Sequence, residues 1–123
     1  MDKLLIDEER IEDIVVLRVQ GLVDSGTSQQ MEERLDQLVG EGVVKIIVDL
    51  GKVDYISSAG LRVIFKAAKH TAGEGRRLAA ANRKPHIDKV FEILKALPDM
   101  AVFANDQELD DYLDTMQRRA RGA

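Results

Sequence analysis

Apolar residues recur along this chain with two alternating spacings. In "KLLIDEERIEDIVVLRVQG" (3–21) the two apolar runs flank a charged centre, which predicts a hairpin with strands near 3–9 and 13–20 around "EERIED". In "TSQQMEERLDQLVGEG" (27–42) Met31, Leu35, Leu38 and Val39 share one helical face, with Thr27 or Ser28 as cap and Gly40 or Gly42 as stop. "VVKIIVDL" (43–50) is a nearly unbroken β-branched run, the pattern of a strand covered on both faces. "DYISSAGLRVIFKAAKH" (54–70) then hands over to a helix with Leu61, Ile64, Phe65 and Ala68 turned inward, ending near Gly73.

Further along, "RRLAAAN" (76–82) predicts a strand, and Pro85 suits the first turn of a helix carrying Ile87, Val90, Phe91, Leu94 and Leu97. "MAVFA" (100–104) predicts a last short strand. Asn105 with Glu108 predicts a capping box for a helix whose inner residues are Leu109, Tyr112, Leu113 and Met116. The order is β-β-α-β-α-β-α-β-α, an α/β fold with a mixed sheet. A length of 123 residues predicts one domain over 1–123, with about 118–123 as a flexible tail.

Composition narrows the function. The chain has no cysteine, so disulfides, thiolate metal sites and cysteine nucleophiles are excluded. The first twenty residues carry no long apolar run, so a signal peptide, a membrane span and direct membrane insertion are not expected, and the setting expected is cytoplasmic. A net charge of −4, with 18 basic and 22 acidic residues, argues against nucleic acid as a partner. The pairs Arg76-Arg77 and Arg83-Lys84 and the group Arg118-Arg119-Arg121 read as solvated charge.

Little in the sequence carries catalysis. His70 and His86 stand at opposite ends of helical segments, no metal-ligand spacing is present, and no cofactor is expected. No phosphate-cradling glycine loop occurs. A serine hydrolase built on Ser58 would lack the G-x-S-x-G elbow. Asp49 and Asp54 bracket "LGKV", and Asp49 with Asp7 and Glu8 only superficially resembles a phospho-acceptor aspartate site, because the chain opens on a hairpin. No enzymatic activity is expected.

Attention falls instead on Ser57-Ser58-Ala59-Gly60. Ser57 is the natural cap. Ser58 then lies in the first turn, where exposed N–H groups and the helix dipole favour an anion. Small neighbours predict an accessible hydroxyl, and a phosphate there would add about −1.5 to −2 charges. Gly60 predicts a close approach by another backbone or a partner. Asp24, in "GLVDSGTS" (21–28), makes a turn with Ser25 and Gly26 or serves this site.

"VDLGKVDYISSAGLRVIFKA" (48–67) closely resembles the signature of the STAS domain family, the anti-sigma factor antagonists, and "LRVQGLVDSGTSQQMEERL" (17–35) resembles its second-strand segment ending in Gly-x-x-Asp. The resemblance covers nearly the whole chain. It implies a STAS-like mixed β-sheet with about four helices. It also implies an anti-sigma factor antagonist that binds a cognate anti-sigma factor/protein-serine kinase, lets go when Ser58 is phosphorylated, and is restored by a serine phosphatase. Ser57 is the second choice of acceptor. The partner-binding residues implied are Asp24, Ser25, Ser57, Ser58, Ala59, Gly60 and Arg62. The alternative is a STAS subunit of another signalling or lipid-transport complex, with no sigma factor involved.

Overall fold

The computed structural model describes residues 4–71, 75–96 and 106–122. Strands β1 (Leu5–Ile11), β2 (Ile14–Val23), β3 (Lys45–Ile56) and β4 (Arg77–Ala81) form one sheet in the order β1-β2-β3-β4. β1 and β2 are antiparallel, whereas β2–β3 and β3–β4 are parallel. The helices are α1 (Ser28–Gly40), α2 (Ser58–His70), α3 (Pro85–Ala96) and α4 (Asp106–Gly122). The mixed sheet with four helices is the architecture expected. "MAVFA", Gly73, Leu97 and Asn105 lie outside the described residues.

The hairpin is tighter than its charges suggested. "EERIED" is not the turn: β1 continues through Glu8, Glu9 and Arg10, and Ile11 pairs with Ile14 across Glu12-Asp13 alone. Ion pairs make those charges compatible with an edge strand. Glu8 holds Arg10 at 2.9 Å and Arg34 of α1 at 3.0 Å, and Arg18 of β2 meets Glu9 at 2.6 Å.

One face of the sheet carries Val15, Leu17 and Val19 of β2 with Ile46, Val48 and Leu50 of β3. These pack on Met31, Leu35 and Leu38 of α1 and Leu61, Ile64 and Ala67 of α2. The opposite face of β3 is only half-covered at Ile47 and Asp49, so the strand is not buried on both faces as its composition suggested. β3 also runs six residues past Leu50, to Ile56. The helical face of α2 is rotated from the predicted one. Val63 and Ala67 are buried, while Phe65 is 39 % exposed and meets Phe91 of α3 edge to face, with ring centroids 5.8 Å apart.

α1 ends as its glycines suggested. Gly42 takes the left-handed conformation at φ +79°, its N–H donates to Val39 O, and Val43 N–H donates to Leu38 O. α4 continues to Gly122, through the stretch read as a tail. Leu109 and Leu113 of α4 join the core, but Tyr112 is 40 % exposed and Met116 half-buried.

Candidate functional site

The carboxyl ends of β2 and β3 meet where Val23 pairs with Ile56, and Ser57 N–H donates to Val23 O at 2.8 Å. This bond brings the loop after β2, with Asp24 and Ser25, beside the start of α2. Ser57 caps that helix as expected: its backbone is extended and its hydroxyl oxygen accepts from Gly60 N–H at 3.3 Å. Gly60 does serve a close approach, but the neighbour is the protein itself. A Cβ at Gly60 would stand 2.5 Å from Val23 Cγ1 and 3.0 Å from Ile56 Cγ1.

Asp24 makes the turn. Its Oδ1 accepts from Gly26 N–H and Thr27 N–H, both at 2.9 Å, and its carbonyl accepts from Ser28 N–H at 2.8 Å. Thr27 stands at the cap position of α1 but turns its hydroxyl back to Leu22 O at 2.7 Å, so no side chain caps α1 and the Asp24 carbonyl takes the first helical N–H, of Ser28. Ser25 is exposed; Ala59 and Arg62 are half-buried on α2.

The largest departure concerns Ser58. Its hydroxyl was expected to be accessible, yet the residue is 1 % exposed and Ser57 only 4 %. α4 reaches this junction through hydrogen bonds. Ser58 N–H, one of the free donors at the start of α2, donates to Asp110 Oδ1 at 2.8 Å. About two helical turns further along α4, the buried carboxamide of Gln117 binds both polar groups of the Ile56 backbone. Ile56 N–H donates to Gln117 Oε1 at 3.0 Å, and Gln117 Nε2 donates to Ile56 O at 2.8 Å. Neither Asp110 nor Gln117 was found by reading the sequence. The only trace is that Gln117 continues the Leu109–Leu113 stripe at i+4, where an apolar residue is the default.

The surroundings are acidic. Burial raises the Tyr55 phenol above its ordinary range, and the carboxylates of Asp114, Asp110, Asp24 and Asp111 push it further. Lys84 pairs with Asp54 and holds that carboxyl below the ordinary aspartate range. His86 Nε2 lies 2.7 Å from Asp54 O, so it is engaged by backbone, while His70 stands at the far end of α2. Asp49 Oδ1 accepts from Gly51 N–H at 2.9 Å. Basic side chains are partnered too: Arg83 bridges Asp88 and lies over Phe91, and Arg118 bridges Asp114.

Known proteins share the fold and much of the sequence. The STAS domain model matches residues 6–109. BtrV of Bordetella bronchiseptica, assigned as an anti-sigma factor antagonist, is 39 % identical over 106 residues, 86 % of this chain and 89 % of its own. An anti-sigma factor antagonist from Mycobacterium paratuberculosis superposes with a TM-score of 0.66 at 21 % identity, over 93 % of this chain and 94 % of that one. Unphosphorylated SpoIIAA, also an anti-sigma factor antagonist, superposes with a TM-score of 0.62 at 21 % identity, over 72 % and 83 %. SpoIIAA from Bacillus has been solved in a phosphorylated form as well, at the same TM-score. This chain belongs to the STAS domain family.

Proposed function

We propose that the chain is an anti-sigma factor antagonist working in the cytoplasm by binding rather than catalysis. In the unphosphorylated form it engages an anti-sigma factor that is also a protein-serine kinase. Phosphorylation of Ser58 ends the complex, and a serine phosphatase restores it. The observation that carries this reading is the junction of β3 with α2. Ser58 stands in the first helical turn, Ser57 holds the cap, and the Asp24 loop is tied alongside through Val23.

The division of labour between the two serines follows from their bonds. The Ser57 hydroxyl oxygen is committed to Gly60 N–H, so modifying it would break the start of the helix. Ser58 contributes its backbone N–H to the fold. In the transfer, Ser58 Oγ bonds to the γ-phosphorus of a nucleoside triphosphate held by the kinase. The bond from that phosphorus to the bridging oxygen breaks, the diphosphate leaves, and the serine proton passes to a base of the kinase. The new charge must then be paired or desolvated in the interface, which disfavours docking.

Peptide mass spectrometry of the protein isolated from its own host tests the acceptor. Phosphate on Ser58 supports the reading, whereas phosphate on Ser57 alone moves the acceptor. Affinity capture tests the switch. Ser58→Ala is expected to retain an anti-sigma factor with a kinase fold, and Ser58→Asp to weaken it at least about tenfold, or about 1.4 kcal/mol. Equal retention by both variants refutes the switch.

A further inference from the structure

We infer that α4 is a displaceable cover over Ser58, clamped shut through Asp110 and Gln117, and that a phosphate on Ser58 holds the cover open. Its regulatory meaning rests on the proposed phosphorylation; the cover itself does not. Three independent contacts seat it. Asp110 takes the Ser58 N–H, Gln117 takes both polar groups of the Ile56 backbone, and Leu109 and Leu113 are buried in the core. With these in place Ser58 is 1 % exposed, and a nucleoside triphosphate cannot be brought in line with its hydroxyl.

Release follows from charge. Asp110 already supplies the anion at the start of α2. A phosphoryl group on the same residue would compete with it for that N–H. Asp114, Asp110, Asp24 and Asp111 all act on Tyr55, three residues before Ser58, so the phosphoryl group would add charge to an acidic neighbourhood. Like charges at short range in a partly desolvated site repel strongly. The modified protein therefore cannot reseat α4, and a covered, unmodified form alternates with an open, phosphorylated one. Such a device makes the kinase responsible for opening its own target and gives the phosphatase an exposed substrate.

The absence of cysteine permits a direct test, because Ser58→Cys places a single thiol under the cover in the full chain. Its reaction with Ellman's reagent reports opening. The native variant is expected to react about 100-fold slower than the same variant in urea, since modification must wait for local opening. Adding Gln117→Ala removes both buried bonds to Ile56 and is expected to speed the reaction about tenfold, which is about 1.4 kcal/mol in the opening equilibrium. Arg118→Ala, on the exposed side of α4, is expected to leave the rate within about twofold. A native rate equal to that in urea overturns the cover. An equal acceleration by Arg118→Ala overturns the clamp.

Hydrogen exchange on the full chain with phosphoserine genetically encoded at position 58 supplies the second measurement. Amides of α4 are expected to lose at least about tenfold protection while β2 and β3 keep theirs. Unchanged protection in α4 overturns release. Neither experiment uses a kinase, so both outcomes stand even if no phosphate is found on Ser58 in the host.

Discussion

Replacing Gly60 by alanine puts a methyl carbon 2.5 Å from Val23 Cγ1, 3.0 Å from Ile56 Cγ1 and 3.4 Å from Val23 Cβ. Carbon atoms prefer separations of about 3.5–4.0 Å, so the start of α2 and the end of β2 must part by about 1 Å. Neither neighbour can give way easily. Val23 and Ile56 are fully buried, and both are β-branched with stiff χ1. Parting them also stretches the Ser57 N–H bond to Val23 O. Overpacking of this kind costs about 1–3 kcal/mol and occasionally more, while alanine's helix propensity returns at most about 1 kcal/mol. The net expectation is a loss of about 2 kcal/mol, or a Tm lower by about 6–10 °C in a chain of this size.

Gly40 provides the comparison. A Cβ there meets nothing within 4 Å, so Gly40→Ala is expected to gain about 0.4–1 kcal/mol. Urea unfolding followed by far-UV circular dichroism, with equal slopes m, gives both differences. If Gly60→Ala unfolds at or above the wild-type midpoint, the close approach of α2 to β2 does not constrain that position and the reasoning fails.

Ser57→Ala removes the cap of α2 and is expected to lower stability by about 1 kcal/mol. Ser58→Ala keeps the backbone bond to Asp110 and should lower it less, and urea midpoints rank the pair. Acid should destabilise through Asp54 and Glu8, whose carboxyls are held below their ordinary ranges by Lys84 and by Arg10 with Arg34 respectively. A depressed folded pKa stabilises above the unfolded value, about 3.9–4.3, and that contribution is lost as pH falls through the folded one. Both side chains are partly exposed, so each contributes less than about 1 kcal/mol. Lys84→Met should flatten the fall in urea midpoint between pH 5 and pH 2, measured at low salt.

Features set by neighbours in sequence were legible. The Gly42 turn, the Ser57 cap and the Met31–Leu35–Leu38 face each follow from local stereochemistry and spacing. Charged strands were harder: Glu8, Glu9 and Arg10 resemble a turn until their partners Arg34 and Arg18 are known. The inward face of α2 was misplaced because Leu61, Ile64, Phe65 and Ala68 fit the i, i+3, i+4, i+7 spacing as well as the true face does, and tertiary packing turned Val63 and Ala67 inward instead. Least legible was the cover over Ser58. Its bonds join residues 52 and 61 positions apart, and a single aspartate or glutamine on a helix carries no periodic signal of a distant partner.

A carboxamide side chain has the donor and acceptor of a peptide group, so Gln117 stands to Ile56 as a neighbouring strand would. Ser57 N–H points toward β2, which leaves the Ile56 groups on the opposite edge, beyond the reach of the five-residue β4. Closing a strand edge with another strand commits a ladder of bonds that must be broken together. Here the edge is closed by one side chain, which can let go by turning about its own χ angles. The carboxamides of glutamine and asparagine carry the N–H donor and carbonyl acceptor side by side as a peptide group does, and Gln117→Glu would keep the acceptor while leaving Ile56 O without its donor.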